Sequence, residues 1–147
     1  MMVGRSLPKS LVVVGLLMLG LSSQGWGGYL SGYTDWRSLP PVAKGAYVAG
    51  ASDYMSQLAT PSDPFQSALS NAVGQCLVAA HTTDIALAND VDRLYGDYVE
   101  LRKVGPAVVL YLATVQRCQD TINQYMAAAG QQLLSFSTIL HNLSKPP

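Results

Sequence analysis

The sequence predicts an all-α protein: a small bundle of four or so helices closed by one disulfide, with a long C-terminal helix, behind a cleaved signal peptide. Three observations carry that expectation. Apolar residues recur at three- and four-residue steps through most of the chain after residue 39. Two cysteines, Cys76 and Cys118, both follow an export signal. Proline and glycine fall between the periodic runs, where helices start and stop.

The export signal comes first. Arg5 and Lys9 precede an unbroken apolar run, Leu11 to Leu21, and small residues follow at Ser22, Ser23 and Gly25. A basic start, an apolar middle and small residues at the end define a signal peptide, here residues 1–25. A membrane span needs about 20 apolar residues, roughly twice this run, so membrane contact is expected only through the signal before cleavage. No cysteine stands near the cleavage region to carry a lipid. The expected location is periplasmic or secreted.

Removing Arg5 and Lys9 from the nine basic residues leaves seven, against nine acidic ones. That balance offers no grip on a phosphate backbone, so nucleic acid is not an expected partner. An even cysteine count in an oxidising compartment reads as one bond. It would close a loop of about 43 residues, worth about 4 kcal/mol in the chain-entropy model. Two free thiols or two metal ligands are the alternative, and neither His81 nor His141 has ligand-like spacing to a cysteine.

Along the chain, the segment Gly25 to Trp36, rich in glycine and aromatics, reads as an extended lead-in, with Thr34 and Asp35 capping the next helix. Helix one is expected from about Leu39 to Leu58, with Pro40-Pro41 in its first turn. On it Val42, Ala46, Ala49, Gly50 and Asp53 share one side that can approach a neighbour closely, and Gly45 and Gly50 are both expected where a neighbour leaves no space for a side chain, because glycine inside a helix costs about 1 kcal/mol against alanine. A turn at Thr60 to Pro64 leads into a short helix capped by Ser62 or Asp63 and ended by Gly74. A third helix starts at Thr82 or Thr83 and closes at Gly96, with Ile85, Ala88, Val91, Leu94 and Tyr95 on its apolar side.

The stretch Gly96 to Pro106 is the most charged of the chain. Asp97, Glu100, Arg102 and Lys103, flanked by Tyr95 and Tyr98, form the candidate partner-binding set, since tyrosine beside mixed charge offers a large contact area at small entropy cost. From Pro106 to about Asn142 a heptad stripe runs through Val108, Leu112, Val115, Gln119, Ile122, Met126, Ala129, Leu133, Phe136 and Leu140. Gly130 is its one place to break. Beyond Cys118 the stripe needs cover from the chain itself, a second copy or a membrane surface, so a homo-oligomer through the C-terminal helix is a further expectation.

No phosphate loop, nucleophile elbow or zinc-protease motif occurs, and the sequence asks for no cofactor and no metal. Asp90 and Asp92 open a calcium-loop pattern that fails at Leu94, Tyr95 and Leu101. A carboxylate hydrolase would have to use Asp53 or Glu100, and no activated pair accompanies either.

Several pieces stand in an order found elsewhere: Trp36 in the lead-in, Tyr-x-x-Gly-x-x-Asp at Tyr47, Gly50 and Asp53, Cys-Leu at Cys76, a Thr-led helix, Arg-x-x-x-Pro at Arg102 and Pro106, then Cys118. Over residues 29 to 118 this order resembles the Rap/Tai family of exported bacterial helical proteins, named for immunity to cell-wall amidases delivered by type VI secretion. The resemblance implies an all-helical fold clamped by Cys76–Cys118, a periplasmic location, and inhibition of an enzyme by covering its active site. It divides the chain into a signal peptide (1–25), a Rap/Tai-like helical domain (26–118) and a C-terminal helical extension (119–147). The chain departs from the pattern in lacking a cysteine near Trp36 and in continuing 29 residues past Cys118.

Overall fold

A computed structural model describes residues 30–57 and 63–145. The signal peptide, its cleavage region and the turn at 60–62 lie outside the described residues. Six α-helices and one 3-10 turn follow in order, and no strand occurs among the described residues: α1 (Tyr33–Ser38), α2 (Pro41–Gln57), α3 (Pro64–Ala79), α4 (Asp84–Asp97), the 3-10 turn (Val99–Lys103), α5 (Pro106–Ala128) and α6 (Phe136–Ser144). The all-α class and the Cys76–Cys118 bond are as the sequence predicts.

Local chemistry sets the helix starts. Pro41, Pro64 and Pro106 each open a helix, where a missing N–H leaves no bond unmade. The Asp63 carboxylate accepts from the backbone N–H of Phe65 (2.9 Å) and Gln66 (3.2 Å), and Thr83 Oγ1 accepts from that of Ala86 (3.2 Å). Each cap satisfies donors the first turn would otherwise leave bare.

The core has two parts threaded on α5. Its first half, with Val109, Leu110, Leu112 and Ala113, packs with Trp36, Val48, Leu87, Val91, Leu94, Tyr95 and Leu101. Its second half, with Val115, Cys118, Ile122 and Met126, packs with Ala68, Ala72 and Cys76 of α3. Phe136 and Ile139 of α6 and Leu77 of α3 reach both. The disulfide joins α3 to α5 within the second part, with Cα atoms 5.7 Å apart.

Four expectations are corrected. The lead-in is not extended up to Trp36: Tyr33–Ser38 is helical, and Asp35, inside that helix, accepts from the backbone N–H of Ser31 (3.0 Å) and its hydroxyl (2.7 Å) rather than capping α2. Trp36 turns inward and is fully buried. Second, α3 runs through Gly74 to Ala79, so Cys76 sits inside it. The helix ends instead at His81, whose φ of 48° is left-handed, with His81 N–H on Val78 O (3.1 Å) and Thr82 N–H on Leu77 O (2.9 Å). Those two bonds make the usual glycine-type C-terminal cap, here with a histidine in it.

Third, the side of α2 read as closely packed faces solvent: Val42 is 80% exposed, Ala46, Gly50 and Asp53 are exposed, and a Cβ on Gly50 would meet nothing within 4 Å. At Gly45, on the other side, the expected close neighbour is there: a Cβ would stand 2.6 Å from Ile85 Cδ1. Glycines and alanines surround this helix, so their spacing does not choose a face. Fourth, the long C-terminal helix does not continue through Gly130, the break into two helices that the sequence left open. Gly130, at φ 65°, ends α5 with the same two-bond cap, Gly130 N–H on Ala127 O (3.1 Å) and Gln131 N–H on Met126 O (2.8 Å). The chain then returns, so that Phe136, Ile139, Leu140 and Leu143 pack on its own core. Gln119 and Asn123 hold the return: Asn123 Nδ2 donates to Leu134 O (3.0 Å), Asn123 Oδ1 accepts from Leu134 N–H (2.8 Å), and Gln119 Oε1 accepts from Phe136 N–H (2.9 Å).

Candidate interaction surface

The charged stretch 97–103 is not a loose connection. Tyr98 ends α4 and Val99–Lys103 form the 3-10 turn, anchored from below by Leu101, which is 1% exposed. Backbone bonds close both ends, Leu101 N–H on Tyr98 O (3.1 Å) and Val104 N–H on Leu101 O (3.0 Å). Side chains tie the turn to the helices beneath. Tyr95 Oη donates to Val104 O (2.9 Å), and Arg102 Nε donates to Tyr95 O (3.2 Å) while its guanidinium lies 4.9 Å from the Tyr33 ring centre. A guanidinium over an aromatic face is attracted by the ring quadrupole. Tyr98 packs edge-on against Phe136 (5.8 Å). The start of the described chain runs past this corner: a Cβ on Gly105 would stand 3.6 Å from Leu30 O, and one on Gly32 3.7 Å from Arg102 O.

This arrangement sorts the candidate residues. Asp97, Arg102 and Lys103 are exposed, Glu100 and Tyr98 half-buried, and Val99, apolar and 63% exposed, stands among them. Tyr95, expected at the surface, is fully buried, and that reading is corrected. Its place on the apolar side of α4 turns it inward, and the phenol keeps its proton because burial, with the Tyr47 phenol adding to it, holds its pKa well above the usual tyrosine range. Asp97 meets Arg93 at 3.9 Å, a pair open to water and weak.

The Tyr47, Gly50, Asp53 pattern is not brought to one place. Tyr47 is half-buried, its ring edge-on to Trp36 at 5.8 Å, whereas Gly50 and Asp53 are on the exposed side.

Sequence reasoning missed the polar residues that matter most to the fold. Asp92 accepts from Trp36 Nε1 (2.8 Å) and from Lys44 Nζ (2.7 and 2.9 Å), and Lys44 is nearly buried, 5.3 Å from the Trp36 ring centre. Asp90 accepts from Arg117 Nε (2.7 Å) and pairs with Arg93, which also donates to Gln116 Oε1 (2.9 Å). The two acids of the failed calcium pattern therefore bind opposite neighbours, α2 and α5. The available signal was their spacing: residues i and i+2 of a helix diverge and cannot share an ion. Among the described residues no group of three His, Cys, Asp or Glu side chains is placed to hold a metal, and no helix is long and apolar enough to cross a membrane.

Compared with known proteins, the chain matches no family model, no curated sequence and no solved structure.

Proposed function

We propose that this is an exported binding or inhibitor protein, immunity-like and without enzymatic activity, that works by covering a surface of a partner such as a cell-wall amidase. The observation that carries the reading is the 97–103 corner. Charges of both signs surround exposed Val99 on a turn tied from beneath by Leu101, Tyr95 and Arg102. A surface ordered beforehand loses little conformational freedom on association, and an apolar centre with a charged rim suits a protein contact. The internal disulfide fits an oxidising compartment, as export to the periplasm would provide.

The test is to immobilise the oxidised protein beside a variant carrying Asp97→Lys, Val99→Asp and Lys103→Glu, and to pass envelope extract over both. Retention of a wall hydrolase by the wild type alone, with inhibition of its action on peptidoglycan, supports the proposal. Equal retention by both removes the corner, and retention of no hydrolase by either removes the inhibitor reading.

The alternative is a structural envelope protein that self-associates. Exposed Val42 (80%) and Tyr54 (63%) on α2 favour it, as does the C-terminal helix, whose apolar residues are only half-buried against the chain's own core. Light scattering decides: a monomer across the accessible concentration range removes this reading.

A further inference from the structure

Arg102 is held in place by its own chain without being spent on a carboxylate of that chain. Among the other described arginines, Arg117 binds Asp90 through Nε (2.7 Å), and Arg93 meets Asp90 (3.5 Å) and Asp97 (3.9 Å). Arg37 is exposed in the last turn of α1, with no carboxylate or ring among the described residues to hold it. Arg102 differs from all three. Its Nε donates to Tyr95 O (3.2 Å), and its guanidinium lies 4.9 Å from the centre of the Tyr33 ring, which packs in turn on the Tyr95 ring at 5.1 Å. A guanidinium carries five N–H donors, and Nε uses one. The four on the terminal nitrogens meet no acceptor among the described residues, although Arg102 is exposed and the same stretch holds Asp97 and Glu100. Val99, 63% exposed, precedes Arg102 by three residues in a 3-10 turn, where side chains three apart lie one above the other.

We propose that Arg102 is the specificity-determining residue of the 97–103 corner: its terminal nitrogens take a carboxylate side chain of the partner protein, beside an apolar residue that meets Val99. The inference rests on reading that corner as a contact surface. A guanidinium fixed by a stacked ring and one backbone bond has already lost the freedom that binding would cost it, and its planar fork matches a carboxylate with two parallel N–H bonds. Tyr33 is the positioning residue, since its ring is the face on which the guanidinium lies. The surrounding charge selects the class of anion. Asp97 and Glu100 balance Arg102 and Lys103, so the stretch 97–103 has no net positive field to draw a phosphate dianion or an anionic lipid surface. A single carboxylate next to an apolar side chain suits it, and an aspartate or glutamate on a folded protein surface supplies both.

Nuclear magnetic resonance of the oxidised, isotope-labelled protein tests it, following the arginine Nε–H signals and the backbone amides of 99–104. The probes are the capped dipeptide acetyl-Leu-Asp-amide, its acetyl-Leu-Asn-amide analogue, and inorganic phosphate, all at equal ionic strength. The expected result is a saturating shift at Arg102 with the aspartate peptide, at a dissociation constant of about 10–100 mM for one bidentate charged contact. Arg37, Arg93 and Arg117 should not saturate in that range, nor should Arg102 with the asparagine peptide or with phosphate. Arg102→Lys, which keeps the charge and loses the fork, should abolish saturation at the 99–104 amides while leaving the melting temperature within about 2 °C. The proposal is overturned by a response to phosphate as tight as that to the aspartate peptide, by an equal response to the asparagine peptide, by no saturation at Arg102, or by retained affinity in Arg102→Lys. These probes need no partner. Failure to capture a hydrolase from extract therefore removes the inhibitor reading alone, and a silent Arg102 removes this inference alone.

Discussion

Gly45 and Gly50 stand on one helix and should respond to the same substitution with opposite signs. A leucine at Gly45 has to push the Ile85 side chain aside and fit its own beyond a Cβ that already stands 4.0 Å from the Ile85 backbone nitrogen, so Gly45→Leu should cost about 1–3 kcal/mol. At Gly50 the space is open, and Gly50→Leu should gain most of a kcal/mol from helix propensity alone. Urea melts of the two variants, compared with wild type, check both signs. The left-handed residues form a second pair. His81 carries a Cβ at φ 48°, so His81→Gly should stabilise by about 0.5–1 kcal/mol, whereas Gly130→Ala, forcing a Cβ into φ 65°, should cost about 1 kcal/mol. Thermal melts suffice for these. Nothing in the sequence separated the two α2 glycines, because alanine, glycine and serine lie on every side of that helix and a period cannot be read where all residues are small.

At the scale of helices, the fold rests on a few polar contacts between elements. Asp92 joins α4 to both α1 and α2, and removing it leaves nearly buried Lys44 and the Trp36 indole without their acceptor. Asp92 is itself 44% exposed and water can in part replace it, so Asp92→Ala should cost about 1–2 kcal/mol, and Asp97→Ala, which breaks a solvated pair, less than about 0.5 kcal/mol. Denaturant midpoints of the two variants read the contrast. Asn123→Ala removes both bonds to Leu134 and should raise hydrogen exchange across residues 134–143 before the rest of the protein responds, at a cost of about 1–3 kcal/mol. Helix starts were legible in the sequence because a cap or an N1 proline acts within three residues. Helix ends were less so. Gly74 resembles a stop, but Cys76 and Leu77 beyond it gain buried contacts that outweigh one glycine, and the true stop is a histidine. Tyr95 belonged to the α4 stripe by spacing and to the charged stretch by neighbourhood, and spacing prevailed.

For the molecule as a whole, buried Tyr95 and half-buried Tyr111 make stability fall in alkali. Burial raises the pKa of both Tyr95 and Tyr111, whereas an unfolded tyrosine ionises near pH 10. Keeping these phenols neutral costs the folded state nothing below about pH 10; above it only the unfolded chain can shed those protons freely, and stability falls as pH rises. Tyr95→Phe should flatten that fall, while lowering neutral-pH stability by about 1 kcal/mol through the lost bond to Val104. Melts from pH 8 to 11 would show both effects. The placement of Trp36 also gives the molecule an optical reporter. Its indole lies in the part of the core to which α3 contributes only half-buried Leu77, bonded to Asp92 through Nε1. With Trp26 replaced by phenylalanine, the emission of Trp36 reports on that part alone. Near-ultraviolet dichroism of the disulfide reports on the other, so loss of one signal before the other would reveal, without isotopes or labels, in which order the two parts of the core come apart.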